Sequence, residues 1–468
     1  MSRRLSVLLA LVLAGCMVGP DYQRPDIDTP DGYEQVTEPG DSIADLQWWE
    51  IYSDPQMREL IELALENNKE LAIAIARIEE ARARYGFVRA DLYPQVDAQF
   101  GATRGDNIGQ LIPGANIGIT ENYVLAGRVA WEVDLFGKLR RSSEAARGEL
   151  LATEEARRSV MITLIADVAA AYLLLADLDN RYEIARRTLD ARKESTRIIE
   201  ARFDKGIVPL LDVNQAQIQE AVAAAQMHSL ERDVIQVENQ LNVLIGSNPG
   251  PILRNRTGMQ LREPVVPAGL PSELLERRPD VRQAEQQLAA QTARIGVAQA
   301  LRLPSLSLTG TLGAASTDLS DLLDGDSKIW DITGNLFAPL FAAGQNARRV
   351  EVERARTEQL LNQYELTILR AFQEVEDALA EIRTARAEAL ARKAQVDAAH
   401  SASTLSRARY DGGVTNYLEV LEVERSLFNA QLAESAIRRQ QLTGFVDLYK
   451  ALGGGWQEPE PAATNTGP

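Results

Sequence analysis

One stretch of this sequence occurs twice. Arg202-Phe203-Asp204-Lys205-Gly206-Ile207-Val208-Pro209-Leu210-Leu211-Asp212-Val213 returns as Arg409-Tyr410-Asp411-Gly412-Gly413-Val414-Thr415-Asn416-Tyr417-Leu418-Glu419-Val420, 207 residues later. The offset holds without a gap through Gly246 and Gly453, and Leu71 to Pro94 resembles Val281 to Pro304 at an offset of 210. Solenoid repeats run to roughly 20–50 residues. A period this long instead implies a duplicated half-molecule with pseudo-twofold structure. Each half reads in the order helix, β-hairpin, long helix, helix.

The chain begins with Arg3 and Arg4, a ten-residue apolar run from Leu5 to Ala14, and then Gly15-Cys16. That run is too short to cross a bilayer as a helix and has the form of a secretory signal. Small residues before the single cysteine of the chain resemble a bacterial lipobox, which implies cleavage before Cys16 and lipid on its thiol and new amino group. Met17 after the cysteine favours the outer membrane. Residues 1–15 are then a signal peptide and 16–53 a lipidated tether, extended and rich in Pro, Asp and Gly. Removing 1–15 leaves 48 basic and 67 acidic residues, a net charge of -19. Such an acidic chain is a poor partner for nucleic acid.

Four segments alternate with period two, the mark of strands. In the first, Val96, Ala98, Phe100 and Ala102 oppose Gln95, Asp97 and Gln99. In the second, the odd-numbered residues from Tyr123 to Leu135 oppose Arg128, Glu132 and Asp134. The third sets Leu306, Leu308, Gly310, Leu312 and Ala314 against Ser305, Ser307, Thr309 and Thr311. The fourth sets Trp330, Ile332, Gly334, Leu336, Ala338 and Leu340 against Asp331, Thr333 and Asn335. Their lengths suit the ~9–11 residues of a bilayer-spanning strand, aromatics sit near their ends, and no apolar layer remains to cover them. Four strands cannot close a barrel, and an open edge in lipid leaves backbone groups unpaired. A membrane reading therefore requires several protomers sharing one barrel of eight, twelve or sixteen strands.

The helices point the same way. From about Ser142 to Arg202 no proline intervenes, and apolar positions step by three and four through Leu164, Val168, Tyr172, Leu175 and Leu178. This is coiled-coil spacing; the second half repeats it through Ile368, Phe372, Val375, Leu379 and Ile382. About 60 residues at ~1.5 Å each make roughly 90 Å of helix. The shorter stretches Leu71 to Asp91 and Leu210 to Ile245, stacked end to end, could match it. The expected fold is mostly α with a transmembrane β part. Its first repeat covers 54–246 with a hairpin at about 95–135, a linker follows at 247–279, and a second repeat covers 280–453 with a hairpin at about 305–341. A disordered tail takes 454–468. Hairpin loops lie on one side of the membrane and helices on the other.

The residues that run Cys16-Met17-Val18-Gly19-Pro20-Asp21-Tyr22-Gln23-Arg24-Pro25, with Trp48-Trp49, Asp54-Pro55, Gly269-Leu270-Pro271-Ser272 and Leu274-Leu275-Glu276-Arg277-Arg278-Pro279-Asp280, resemble the TolC-type outer-membrane efflux ducts, in the lipoprotein branch that includes OprM and NodT. The likeness covers nearly the whole mature chain. It implies a homotrimer with a twelve-stranded barrel above a twelve-helix periplasmic tube. It further implies a periplasmic adaptor, an inner-membrane pump of the resistance-nodulation-division class, outer-membrane lipid around the barrel, no cofactor and no catalysis. The cargo would be drugs or other small toxic compounds; metal efflux and ATP-driven protein secretion are the alternative duties of such a duct.

Gly206 and Gly413 mark the turns between long and short helices, where glycine serves a left-handed cap, and these turns should form the periplasmic mouth. Glu419 and Glu422 lie three apart on one helical face. Six such carboxylates in a trimer would form an acidic ring whose crowding resists joint ionisation. The resemblance puts Leu418 at an apolar constriction and makes Asp212 and Tyr410 a pair tethering tip helices in the closed state. Thr415 stands where TolC has an arginine, so a second lock is absent. His228 and His400, the only histidines, sit in helical stretches, and no nucleophile motif, phosphate loop or metal cluster is evident. A non-conducting envelope scaffold is the rival that the four alternating strands argue against.

Overall fold

The computed structural model describes residues 17–34, 54–105, 119–254 and 274–454. The signal-like segment, Cys16, Trp48-Trp49, the 269–272 motif and the tail beyond 454 lie outside these residues. The elements are α1 (Pro55–Asn67), α2 (Lys69–Ala90), β1 (Gln95–Gly105), β2 (Thr120–Val133), α3 (Lys138–Asp204), α4 (Leu210–Leu244), α5 (Leu274–Arg277), α6 (Pro279–Ala300), β3 (Ser305–Ser316), β4 (Lys328–Phe337), α7 (Gln345–Asp411) and α8 (Tyr417–Ala451). Both α3 and α7 have 67 residues, and both α4 and α8 have 35.

The chain divides into two compact units, each drawing on both halves of the sequence. The first comprises Met1–Asp26, Ala76–Glu154 and Gln283–Glu365; the second comprises Ile27–Ile75, Glu155–Arg282 and Leu366–Pro468.

In the first unit the strands form one antiparallel sheet in the order β1-β2-β3-β4. Its register puts the apolar sets side by side. Phe100 stands opposite Leu125, which stands opposite Ala314; Val129 opposes Gly310, and Gly310 opposes Ile332. The polar sets align likewise, from Asp97 to Arg128 to Thr311 to Asp331. Because side chains alternate faces, one face of the sheet is apolar and the other polar. The apolar face is uncovered within the chain: Ile332 is 81% exposed and Trp330 74%. Among the described residues the outer edges of β1 and β4 are both unpaired.

Two strands stop sooner than alternation suggests. β4 ends at Phe337, since Pro339 has no N–H to give a ladder, and Ala343 and Gly344 then take positive φ of 47° and 82°. β2 ends at Val133, where the Leu135 N–H turns back to the Val133 carbonyl at 2.9 Å. At Gly313 the sheet tolerates nothing larger, because a Cβ there would sit 2.2 Å from the Leu125 carbonyl oxygen.

The stretch after Cys16, expected as an extended tether, has no regular secondary structure but is firmly held. The guanidinium of Arg141, 1% exposed, donates to Asp21 at 2.6 Å and to the carbonyls of Val18 and Gly19 at 3.3 and 3.2 Å. The Val18 N–H reaches Phe136 O at 3.1 Å, and the Tyr22 hydroxyl donates to Glu285 at 3.2 Å.

In the second unit the heptad-like stripe of α3 is the core. Val168, Tyr172 and Leu175 are fully buried, as are Ile368 and Val375 of α7. Each such side chain contributes about 1.5–3 kcal/mol by leaving water. Asp54 caps α1, accepting from Gln56 N (2.8 Å) and Met57 N (3.1 Å), while its other oxygen accepts from the Tyr172 hydroxyl at 3.1 Å.

Helix stacking is visible at two equivalent junctions. The Asn68 amide, just before α2, donates to the Leu244 carbonyl closing α4 at 2.8 Å. The Arg278 guanidinium, just before α6, donates to the Ala451 carbonyl closing α8, also at 2.8 Å. Both joints satisfy a helix-terminal carbonyl that would otherwise be orphaned. Different chemistry serves them: Arg278, 6% exposed, also pairs with Asp280 (2.6 Å) and Glu374 (2.7 Å).

Candidate functional site at the two helix turns

The turns from α3 to α4 and from α7 to α8 lie in the second unit and share one backbone solution. Gly206 N–H donates to Phe203 O and Ile207 N–H to Arg202 O; Gly413 N–H donates to Tyr410 O and Val414 N–H to Arg409 O. Both glycines have φ of 71°. This is the Schellman cap, made twice. Asn416 then caps α8, its side chain accepting from Glu419 N at 3.1 Å.

Beneath the turns lies a small apolar cluster. Ile199 of α3, Val213 and Ala216 of α4, and Tyr417, Val420 and Leu421 of α8 are buried together, with Val208 and Tyr410 packed against them. Tyr410 and Tyr417 rings meet at 5.3 Å and a 44° tilt. Burial, with Glu424 nearby, pushes the Tyr417 phenol up to about 12. Burial also raises the Asp212 carboxyl above its ordinary value.

Tyr410 packs against this cluster and Asp212 immediately precedes its member Val213, but no hydrogen bond joins the two in the protomer. The Tyr410 hydroxyl is buried beside the Arg202 guanidinium. The ring carries that guanidinium 5.3 Å above its centroid, and Arg202 reaches Asp411 at 3.3 Å. This links the end of α3 to the end of α7. A second link runs from Arg407 to Ser195 (3.2 Å) and Glu424 (2.5 Å). A third holds α4 and α8 to α3: Arg192, 5% exposed, donates to Gln219 O at 2.7 Å and lies 5.5 Å over the Phe428 ring. Sequence reading passed over all three arginines. The repeat offers one signal, since Arg202 and Arg409 occupy equivalent positions; nothing marks Arg192 or Arg407.

Leu418, Glu419 and Glu422 are on the face of α8 turned away from that cluster. Leu418 is 56% exposed and its repeat equivalent Leu211 62%, so packing within the protomer accounts for neither. Each glutamate has its own basic neighbour. Glu422 pairs with Arg425 at 2.5 Å; Glu419 stands 3.7 Å from Arg409 and accepts from the Thr415 hydroxyl. Thr415, which stands where the resemblance puts an arginine lock, donates instead to Glu419. His228 faces Glu231 at 3.1 Å on an exposed surface of α4.

The outer membrane efflux protein family model matches residues 60–247 and 270–454, nearly the whole described chain. The outer membrane protein OprJ of Pseudomonas aeruginosa is 35% identical over 99% of this chain and 98% of its own. The toluene efflux pump outer membrane protein TtgF of Pseudomonas putida is 36% identical over 97% and 96%. Among solved structures, the open state of the Neisseria gonorrhoeae MtrE outer membrane channel superposes with a TM-score of 0.85 at 30% identity, covering 94% of this chain and 99% of that one. A half-apolar sheet with two open edges, long paired helices and capped helix turns, matched over almost its full length, make this chain a member of the outer membrane efflux protein family: an outer-membrane channel of an efflux pump.

Proposed function

We propose that the protein works as a homotrimer that carries drugs, organic solvents or similar toxic compounds outward, docked to a periplasmic adaptor and a resistance-nodulation-division pump. The observation that carries this is the sheet. Its apolar face suits lipid, and its two free edges can be satisfied only by β1 and β4 of neighbouring copies. Three copies give twelve strands. The repeats 54–246 and 280–453 supply two hairpins to each protomer, and lipid on Cys16 anchors the strapped N-terminal segment. Relatives named for toluene efflux favour small apolar cargo over metals or secreted protein.

The gate in this reading is the tip: Gly206 and Gly413 shape it, Leu418 narrows it, and Glu419 and Glu422 line it. Tyr410 and Asp212 would be the pair that tethers neighbouring tip helices in the closed state. The test is dye and drug accumulation in cells lacking the gene, complemented by wild type or by Glu419→Ala/Glu422→Ala. Accumulation that rises on deletion and is restored by wild type supports efflux; restoration only by the intact tip supports the gate. Normal accumulation across a broad panel, with no redundant channel expressed, would overturn the cargo assignment.

A further inference from the structure

The charge of this chain is unevenly placed. Overall it carries 50 basic and 67 acidic residues, yet the twelve residues on the helix side of each strand together hold nine Arg or Lys and three Asp or Glu. At the other end of β3 and β4, residues 317–328 hold four Asp and one Lys. A basic collar therefore surrounds the helix-to-strand junctions, with an acidic loop beyond the strands.

Five of the nine basic groups are engaged within the chain, Arg141 with Asp21 and Arg140 with Asp134 among them. The remaining four, Arg84, Arg89, Arg302 and Arg349, are exposed, and among the described residues they form no ion pair. Arg84 and Arg349 line an open cavity of about 320 Å³ in the first unit. Its two carboxylates are already taken: Glu149 by Arg294, and Glu353 by Gln291 (2.6 Å) and Arg356 (2.9 Å). The collar thus presents uncompensated guanidiniums. Exposed aromatics flank it, Phe87 and Tyr93 before β1 and Phe337 and Phe341 at the end of β4. Aromatic side chains at strand ends mark the level of the headgroups in a membrane barrel.

We propose that this collar binds the phosphates of anionic phospholipids in the leaflet on the helix side of the sheet. A guanidinium fork matches phosphate oxygens bidentately, and basic pockets beside membrane spans recognise anionic headgroups. The site rests on the strands spanning the membrane. Bound lipid would fix the depth of the barrel and bridge the charge of collars on adjacent copies.

The test titrates the purified full-length protein with phosphatidylglycerol or phosphatidylcholine and reads bound lipid by native mass spectrometry. Inorganic phosphate serves as competitor. Wild type should prefer phosphatidylglycerol at least tenfold, and the preference should shrink as salt rises. Arg84→Gln/Arg89→Gln/Arg302→Gln/Arg349→Gln should lose it, while Arg187→Gln/Arg197→Gln/Arg232→Gln/Arg392→Gln, which removes as much charge elsewhere, should keep it. Equal binding of the two lipids by wild type, an unchanged preference in the collar variant, or complete displacement by millimolar inorganic phosphate would each overturn the proposal. Should the collar variant fail to assemble, the wild-type titration and its salt dependence decide alone. Failure of the membrane reading looks different, as loss of both lipids together.

Discussion

Arg202→Ala is the substitution that best tests how the tip is held. The guanidinium makes two contacts with the end of α7, an ion pair to Asp411 at 3.3 Å and a stacking contact on Tyr410 at 5.3 Å. The ion pair is substantially exposed, 34% for Arg202 and 58% for Asp411, and pairs of that kind contribute only about 0.2–1 kcal/mol. An exposed cation–π contact adds about 0.5–1 kcal/mol. One protomer therefore loses about 1 kcal/mol, which alone would be hard to detect. For a proposed trimer whose concerted opening parts α3 from α7 at the tip and so breaks these contacts, three losses sum to about 3 kcal/mol, or roughly a hundredfold in the ratio of open to closed channels. Single-channel recording in planar bilayers measures that ratio directly. Asp411→Asn should give the ion-pair share and Tyr410→Leu the stacking share, together approaching the Arg202→Ala effect. Raising salt from 0.1 to 1 M shortens the screening length from ~10 to ~3 Å and should erase only the first share. An unchanged open probability for Arg202→Ala at low salt, in an intact trimer, would refute the account.

The remaining predictions concern the frame around that contact. Gly206→Ala and Gly246→Ala both put a Cβ on a residue with φ of 71°, but the first meets open space and the second the Asn67 carbonyl at 2.4 Å. The left-handed conformation costs about 1–2 kcal/mol in each, and crowding should cost Gly246→Ala at least about 1 kcal/mol more, read as a lower unfolding midpoint. Ile332→Arg places charge on the apolar face and should lower the stability of the proposed barrel by about 2–4 kcal/mol, seen as loss of the trimer on size-exclusion chromatography; Thr333→Arg, one residue on and on the polar face, should assemble normally. Tyr417 has a folded pKa of about 12 against an ordinary 10.0. Its neutral form is the one the fold favours, so its stabilisation is complete below pH 10 and is lost as pH rises from 10 towards 12, where the unfolded chain ionises first. Tyr417→Phe should flatten that part of the stability–pH curve; an identical alkaline fall in the variant would show that another group causes it.

The strands were legible because a sheet with one apolar face writes its period into the sequence, and cross-strand register then follows from matching like faces. The long helices were legible for the same reason, at a period near 3.5. What escaped notice depends on contacts between distant segments. Nothing local distinguishes Arg141, which straps residues 17–21, from any arginine near a helix start, and nothing marks Arg192 as buried. The repeat aligns Leu71 with Val281, but does not say that Asn68 and Arg278, three residues earlier in each, close equivalent helix junctions with an amide and a guanidinium. The strand ends were overrun because alternation continues through Leu135 and Leu340, whereas the ladder stops where the backbone turns or lacks a donor.

The acidic tip shows the same limit with a functional consequence. Counting Glu419 and Glu422 alone gives six carboxylates around the proposed threefold axis, a strong attractor of cations. The structure seats Arg409 beside the first and Arg425 beside the second, so the six carboxylates come with six guanidiniums. At ranges beyond about 10 Å in physiological salt, these pairs present dipoles more than net charge. Long-range steering of cations to the mouth is then weak, and selection at the tip acts only on groups close enough to compete for an arginine's partner. In the proposed trimer a tip built this way would not repel neutral apolar compounds electrostatically, and the constriction proposed at Leu418, 56% exposed in the protomer, would then act by size.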